Sequence, residues 1–212
     1  MKTLWTFGDS LTAGYTTEDK WAKDYIDWKG YKPKIFSEII AEQLGIELMN
    51  LGKGGSDNDT IFETFCKNIK KIKENDIVLI GWSSLYRFRI GIEDKWKTIV
   101  PNFEDIKKID DINSYSVSND TIREILVNRS SPVYLNELNI LIFFLEYICK
   151  DFKLLNWSSF ENGRLNALYC GHCERIVTET NNEIVDNHFS EKGNIQLADY
   201  IIACLNGETK II

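Results

Sequence analysis

Apolar residues along this chain fall into two kinds of run, and the two alternate. Residues 2–7, 46–51, 76–81 and 152–157 are short blocks rich in branched and aromatic side chains, bounded by polar turns or glycine. Such blocks read as strands buried on both faces. Between them the spacing changes to three and four. Ile35, Phe36, Ile39, Ile40 and Leu44 predict a helix that opens after Pro33 and stops at Gly45. Ile61, Phe62, Phe65, Ile69 and Ile72 predict a second. Residues 132–150 predict a third, with Leu135, Leu138, Ile142, Leu145 and Ile148 on one face, and residues 189–205 a last one. Residues 16–32 have no clear period and read as a loop, and residues 158–183 carry no decided pattern. Residues 85–131 mix charged and aromatic positions and read as an insertion with a short helix or two, a lid or a partner surface. Strands alternating with helices predict parallel βαβ units and a three-layer α/β/α sandwich of about five parallel strands. No repeat or linker divides the chain, so residues 1–212 are expected to form a single domain.

Composition narrows the function classes. At 212 residues the chain is long enough for one well-buried core, and 43% hydrophobic content argues for a globular fold. A net charge of -7 without a basic stripe argues against nucleic acid as a partner. The most apolar stretch, residues 140–148, is interrupted by Glu146 and is too short to span a bilayer. The start carries no apolar signal region, and the 5 cysteines are an odd number. A reducing, cytoplasmic setting is therefore expected, with no cofactor and no metal; the oligomeric state stays open.

The chemistry concentrates at Phe7-Gly8-Asp9-Ser10-Leu11-Thr12, where the first strand ends in small polar residues. A serine just past the carboxyl end of a first strand sits where open α/β sheets place ligands. Serine is a weak nucleophile alone and needs a base. The chain has 2 histidines, His172 and His188, and the latter follows Asp186 at Asp186-Asn187-His188. Turns after parallel strands share one edge, so Ser10 and His188 are free to meet although far apart in sequence. The glycine-rich run ending in Gly54-Gly55-Ser56 follows the second strand, and the amides of Ser10 and Gly55 are candidate donors to an oxyanion. Each feature has a plainer reading. Asp9 and Ser10 also fit a helix cap, the glycines an ordinary βα turn, and Asp186 with His188 a surface pair.

Taken together and in this order, these motifs resemble the SGNH/GDSL hydrolase superfamily. The resemblance implies a flavodoxin-like fold and an esterase, lipase, thioesterase, carbohydrate deacetylase or acyltransferase activity. It implies Ser10 as nucleophile, His188 as base, Asp186 as its orienter and Gly55 in the oxyanion hole. Two departures stand out. The family's Gly-x-Asn-Asp block is here Gly81-Trp82-Ser83-Ser84, without the asparagine donor. Ser83 or Ser84 would replace it with a hydroxyl, or Arg87 or Arg89 with a cation. One residue rather than two separates Asp186 from His188, which leaves a Ser–His dyad or Glu183 as alternatives. Asp9, beside the nucleophile, and Trp82 are further candidates for substrate contact. Trp82 would join Tyr86, Phe88, Tyr15 and Trp21 in a platform for a sugar ring or acyl chain.

The expected function is cleavage of carboxylic esters through an acyl-enzyme, on a small-molecule or glycan ester, with carbohydrate O-deacetylation preferred. The alternatives are a non-catalytic binding module on the same fold, and a thiol-disulfide module. The last is raised by Cys170-Gly171-His172-Cys173, which matches a redox motif but lacks the proline such folds carry after it.

Overall fold

The computed structural model describes residues 2–85, 87–92, 95–99, 124, 132–160 and 165–208. Its elements are, in chain order, β1 (Thr3–Phe7), α1 (Ser10–Ala13), α2 (Lys20–Lys29), α3 (Phe36–Leu44), β2 (Glu47–Asn50), α4 (Asn58–Asn68), β3 (Ile77–Trp82), β4 (Phe88–Ile92), β5 (Lys95–Ile99), α5 (Pro132–Ile148), β6 (Lys153–Ser158), β7 (Leu168–Tyr169), α6 (Ile176–Glu179) and α7 (Glu191–Leu205). Five strands form one sheet in the order β2-β1-β3-β6-β7, all parallel. Numbered within the sheet this is the flavodoxin-like 2-1-3-4-5 order, in which the chain leaves β1 toward one edge and returns from β3 toward the other. It is the fold that the Gly-Asp-Ser-Leu resemblance implies.

Alternation along the strands divides the core. Leu4, Ile77, Leu79, Leu155 and Trp157 face α3 and α7, meeting Phe36, Ile40, Leu197 and Ile201. Trp5, Phe7, Val78, Ile80 and Trp82 face the other way, onto Ile61 and Phe65 of α4 and Leu138, Ile142 and Leu145 of α5. The result is a three-layer α/β/α sandwich. Within it Asp76, 2% exposed, accepts hydrogen bonds from the Thr3 N–H, the Trp5 indole and the Lys73 N–H at 2.9–3.0 Å, fixing the start of β3 to the start of β1.

Several expectations change. Residues 16–32 contain the helix α2, not only a loop; Gly30 ends it in the left-handed region, and Ala22 and Tyr25 are buried. Its inner face joins Tyr15, Ile35 and Ile176 in a third apolar cluster, and the Tyr25 hydroxyl donates to Glu179. Along α5 and the turn after it the buried stripe is Leu138, Ile142, Leu145 and Cys149; Ile148 is 56% exposed and belongs to the opposite face. The described part of residues 85–131 includes an antiparallel hairpin, β4 with β5, which the sequence pattern did not predict. Most of that insertion lies outside the described residues. No helix among the described residues is long and apolar enough to cross a membrane.

Candidate active site

Parallel register aligns the carboxyl ends of the strands, and Ser10, Gly55, Ser83, Asp186 and His188 all lie in segments that follow strands of this sheet. Ser10 opens α1 directly after β1. The Asp9 carboxylate caps this turn by accepting from the Leu11 N–H at 3.0 Å, and the Asp9 carbonyl receives the N–H groups of Thr12 and Ala13. Three glycines let the turn sit flush on the sheet edge. A Cβ at Gly8 would stand 2.0 Å from Thr12 Oγ1, at Gly52 2.8 Å from Thr12 Cβ, and at Gly81 2.9 Å from Thr12 Oγ1. These glycines follow or end β1, β2 and β3, so the backbone of α1 is clasped between adjacent strand ends.

Asn50, at the end of β2, adds polar ties. Its Oδ1 accepts from the Gly52 N–H at 2.9 Å and its Nδ2 donates to the Thr12 carbonyl at 2.8 Å, while Lys53 N–H donates to the Gly8 carbonyl. The glycine loop is thereby held beside Ser10. Gly54 comes nearest it: a Cβ there would lie 4.0 Å from Ser10 Cβ. Gly55, the residue expected in the oxyanion hole, has φ 75°, a conformation that favours glycine, and meets nothing within 4 Å at its own Cβ position. Among the described residues neither the Ser10 nor the Gly55 amide N–H has a protein acceptor.

At the other end of the chain the Asp186 carboxylate meets His188. Its Oδ1 lies 2.7 Å from both the His188 Nδ1 and the His188 backbone nitrogen. A single intervening residue suffices because the backbone N–H and the ring converge on one oxygen. The contact assigns the neutral ring proton to Nδ1 and leaves the Nε2 lone pair free. Trp21 of α2 stacks on the imidazole, ring centroids 3.7 Å apart and planes within 3°. The loop itself is braced: Ile176 N–H donates to the His188 carbonyl, Val177 N–H to the Asp186 carbonyl, and the Tyr15 hydroxyl to the Phe189 carbonyl. Glu183, the alternative orienter, instead accepts from the Trp28 indole at an exposed position.

Ser10, Asp186 and His188 line one cavity of about 540 Å³, together with Arg87, Phe160 and Arg175 among others. Among the described residues the Ser10 hydroxyl makes no hydrogen bond, to His188 or any other group.

The remaining candidates move to other tasks. Asp9 is 3% exposed and ion-paired to Arg87 Nη1 at 2.7 Å, so it supports the turn and does not face substrate. The Ser83 hydroxyl donates to Asp9 Oδ2 at 3.0 Å, and Asn58 brackets its backbone by accepting from the Ser83 N–H and donating to the Ser83 carbonyl. In this structure the Ser83 proton is therefore directed to Asp9 and not to the cavity. Trp82 is buried in the core and its indole donates to Asn156 Oδ1, which removes it from any substrate platform. Strand alternation is the reason: it shares the inward face of Val78 and Ile80. Arg89 pairs with Glu63 at 2.7 Å and does not line the cavity.

Cys170 and Cys173 are free, buried thiols packed in the α3/α7 core. Burial pushes both thiols up, Cys173 to about 11, the reverse of a redox-active cysteine. The motif makes a turn, Cys173 N–H to the Cys170 carbonyl, and the thiol-disulfide expectation is overturned. His172 lies against the Tyr169 and Tyr200 rings, away from Ser10.

No family model matches this chain, and no curated protein matches it. Among solved structures it is similar to a carbohydrate esterase whose active site is described as displaying divergent catalytic and non-catalytic binding functions, at 13% identity and TM-score 0.44 over 99% of this chain and 70% of that one. It is also similar to a protein assigned to the G-D-S-L lipolytic family from Desulfitobacterium hafniense DCB-2, at 14% identity and TM-score 0.37 over 95% and 98%.

Proposed function

We propose that this protein is a serine hydrolase of carboxylic esters that works through an acyl-enzyme. The observation that carries the reading is the Asp186–His188 pair, 2.7 Å apart, lining the same cavity as Ser10 at the first strand's carboxyl end. In this scheme Ser10 Oγ attacks the carbonyl carbon while His188 Nε2 takes its proton. The tetrahedral intermediate collapses, the C–O bond to the alcohol breaks, and His188 returns the proton to the leaving oxygen. Water, deprotonated by the same imidazole, then releases the acid. Asp186 holds the tautomer and stabilises the imidazolium, and Trp21 fixes the ring plane.

The unpartnered amides of Ser10 and Gly55 are the oxyanion donors in this reading, each worth about 2.7–4 kcal/mol in the barrier. Arg87, anchored by Asp9, is the candidate to stand in for the missing asparagine, because it is the cation after β3 that lines the cavity. The cavity suits a small-molecule or sugar ester, and a small acyl group such as acetyl suits carbohydrate O-deacetylation.

The test is pre-steady-state release of p-nitrophenol from p-nitrophenyl acetate. A burst stoichiometric with enzyme, abolished in a folded Ser10→Ala variant, is expected. Equal rates in the two proteins would refute the hydrolase and leave a binding module on the same fold.

A further inference from the structure

Arg175 is the group in the cavity that the scheme above leaves unused. Its Nη1 donates to the Asn187 carbonyl at 3.0 Å, and its guanidinium lies 4.2 Å from the centroid of the Phe189 ring. Phe189 therefore covers one face of the guanidinium, and among the described residues the bond to Asn187 uses one of its five N–H donors. Arg87 and Arg89 both meet carboxylates, but among the described residues no carboxylate lies within ion-pair distance of Arg175. Burial disfavours its charge, and among the described residues no ion pair offsets that cost. Of the charged groups lining the cavity, Arg87 is committed to Asp9 and Asp186 to His188, which leaves Arg175 as the guanidinium without an ion-pair partner among the described residues.

We propose that Arg175 receives an anionic group of the substrate, so that the esters this site prefers carry a carboxylate beside the scissile bond. A planar guanidinium with open edges matches a carboxylate in two-point geometry, and a single uncommitted cation matches a single negative charge. The proposal deepens the ester-hydrolase reading and rests on it for the word substrate. Arg175 is thus a specificity-determining residue, and its bond to Asn187 gives it a second, bracing role in the loop that carries His188.

The experiment compares 3-acetoxybenzoate with its methyl ester, which share the acetyl group and ring and differ by one charge. Wild type is expected to favour the anion in kcat/KM. Arg175→Gln should lower the anion-to-neutral ratio about tenfold or more, mainly through KM of the anion. Arg175→Lys, which keeps the charge and loses the fork, should give an intermediate ratio, and carries the comparison if the glutamine variant does not fold. Wild type without preference, or both esters falling alike in the variants, overturns the proposal and leaves Arg175 as a loop brace. A binding arm separates this from failure of the hydrolase reading. In Ser10→Ala, 3-hydroxybenzoate is titrated by NMR with and without the Arg175 substitution. If neither ester is turned over but affinity still drops about tenfold on losing Arg175, the anion site stands and the hydrolase falls. Equal affinities sink the anion site whatever the turnover.

Discussion

Arg87→Met probes how the candidate site is wired into the fold. Asp9 is 3% exposed, and its carboxylate accepts from the Leu11 N–H and the Ser83 hydroxyl at 3.0 Å each and from Arg87 Nη1 at 2.7 Å. The Arg87 side chain is itself only 16% exposed. Methionine preserves the length and apolar stem but removes the charge, leaving a buried carboxylate with two neutral donors. Breaking a buried pair from one side costs about 3–5 kcal/mol. The two surviving hydrogen bonds to the carboxylate put the expected loss at the lower end, about 3 kcal/mol. For a chain of this size that corresponds to a fall in Tm of roughly 6–12 °C.

The assay is thermal and urea unfolding followed by circular dichroism, run on Arg87→Met, Asp9→Asn and the double variant. Neutralising both partners removes the stranded charge, so the double variant should recover most of what Arg87→Met loses. A single variant within about 1 kcal/mol of wild type would mean the pair behaves like an exposed one. That result, or a double variant no better than Arg87→Met, would refute the claim that Asp9 depends on Arg87.

Two further outcomes test the frame around the site. Burial works against ionisation of Asp76, but the N–H groups of Lys73, Trp5 and Thr3 outweigh it and hold its carboxyl below the usual range. Because the folded-state value is depressed, this stabilisation is present above the unfolded pKa of about 3.9 and fades as pH falls through the folded value. Asp76→Asn should therefore lose about 2–4 kcal/mol at pH 7, with the gap to wild type narrowing below about pH 4 in urea titrations. A gap that is flat with pH would assign the effect to packing. Brief iodoacetamide treatment of the native protein at pH 8, read by mass spectrometry, should label the exposed Cys66 first and leave Cys170 and Cys173 unmodified until denaturant is added. Fast labelling of either buried thiol would contradict the packed turn described for that motif.

The central sheet strands were legible because both faces are covered. Residues 77–80 need no polar alternate, so β3 reads as an unbroken apolar run, and the helices that cover it show the complementary spacing. Residues 16–32 were not legible in the same way, because α2 is held by partners about 150 positions away: Lys29 bridges Glu179 and Glu191, and the Glu191 N–H donates to the Tyr25 hydroxyl. A local signal was nonetheless present in Trp21, Ala22, Tyr25 and Ile26 followed by Gly30, a narrow apolar stripe with a terminating glycine. Trp82 was misjudged by position, since its place at a strand end suggested the cavity while the alternation from Val78 through Ile80 already turned it inward.

The chemistry was legible only as far as motifs carry it. Ser10, Asp186 and His188 are named by short patterns that sit beside strand or helix ends, where the parallel topology fixes which edge they reach. Which of two neighbouring glycines lies nearer Ser10, and whether Ser83 faces Asp9 or the cavity, depends on loop contacts of a few ångströms that no pattern encodes. Arg175 shows the same limit from the other side. No period or motif marks it, and its interest arises from what surrounds it: an aromatic face, a carbonyl and, among the described residues, no ion-pair partner. In a site assembled from loops after parallel strands, residue type at a strand end identifies the candidate groups. Which side chains are paired around them and which are left open exists only once the loops have met.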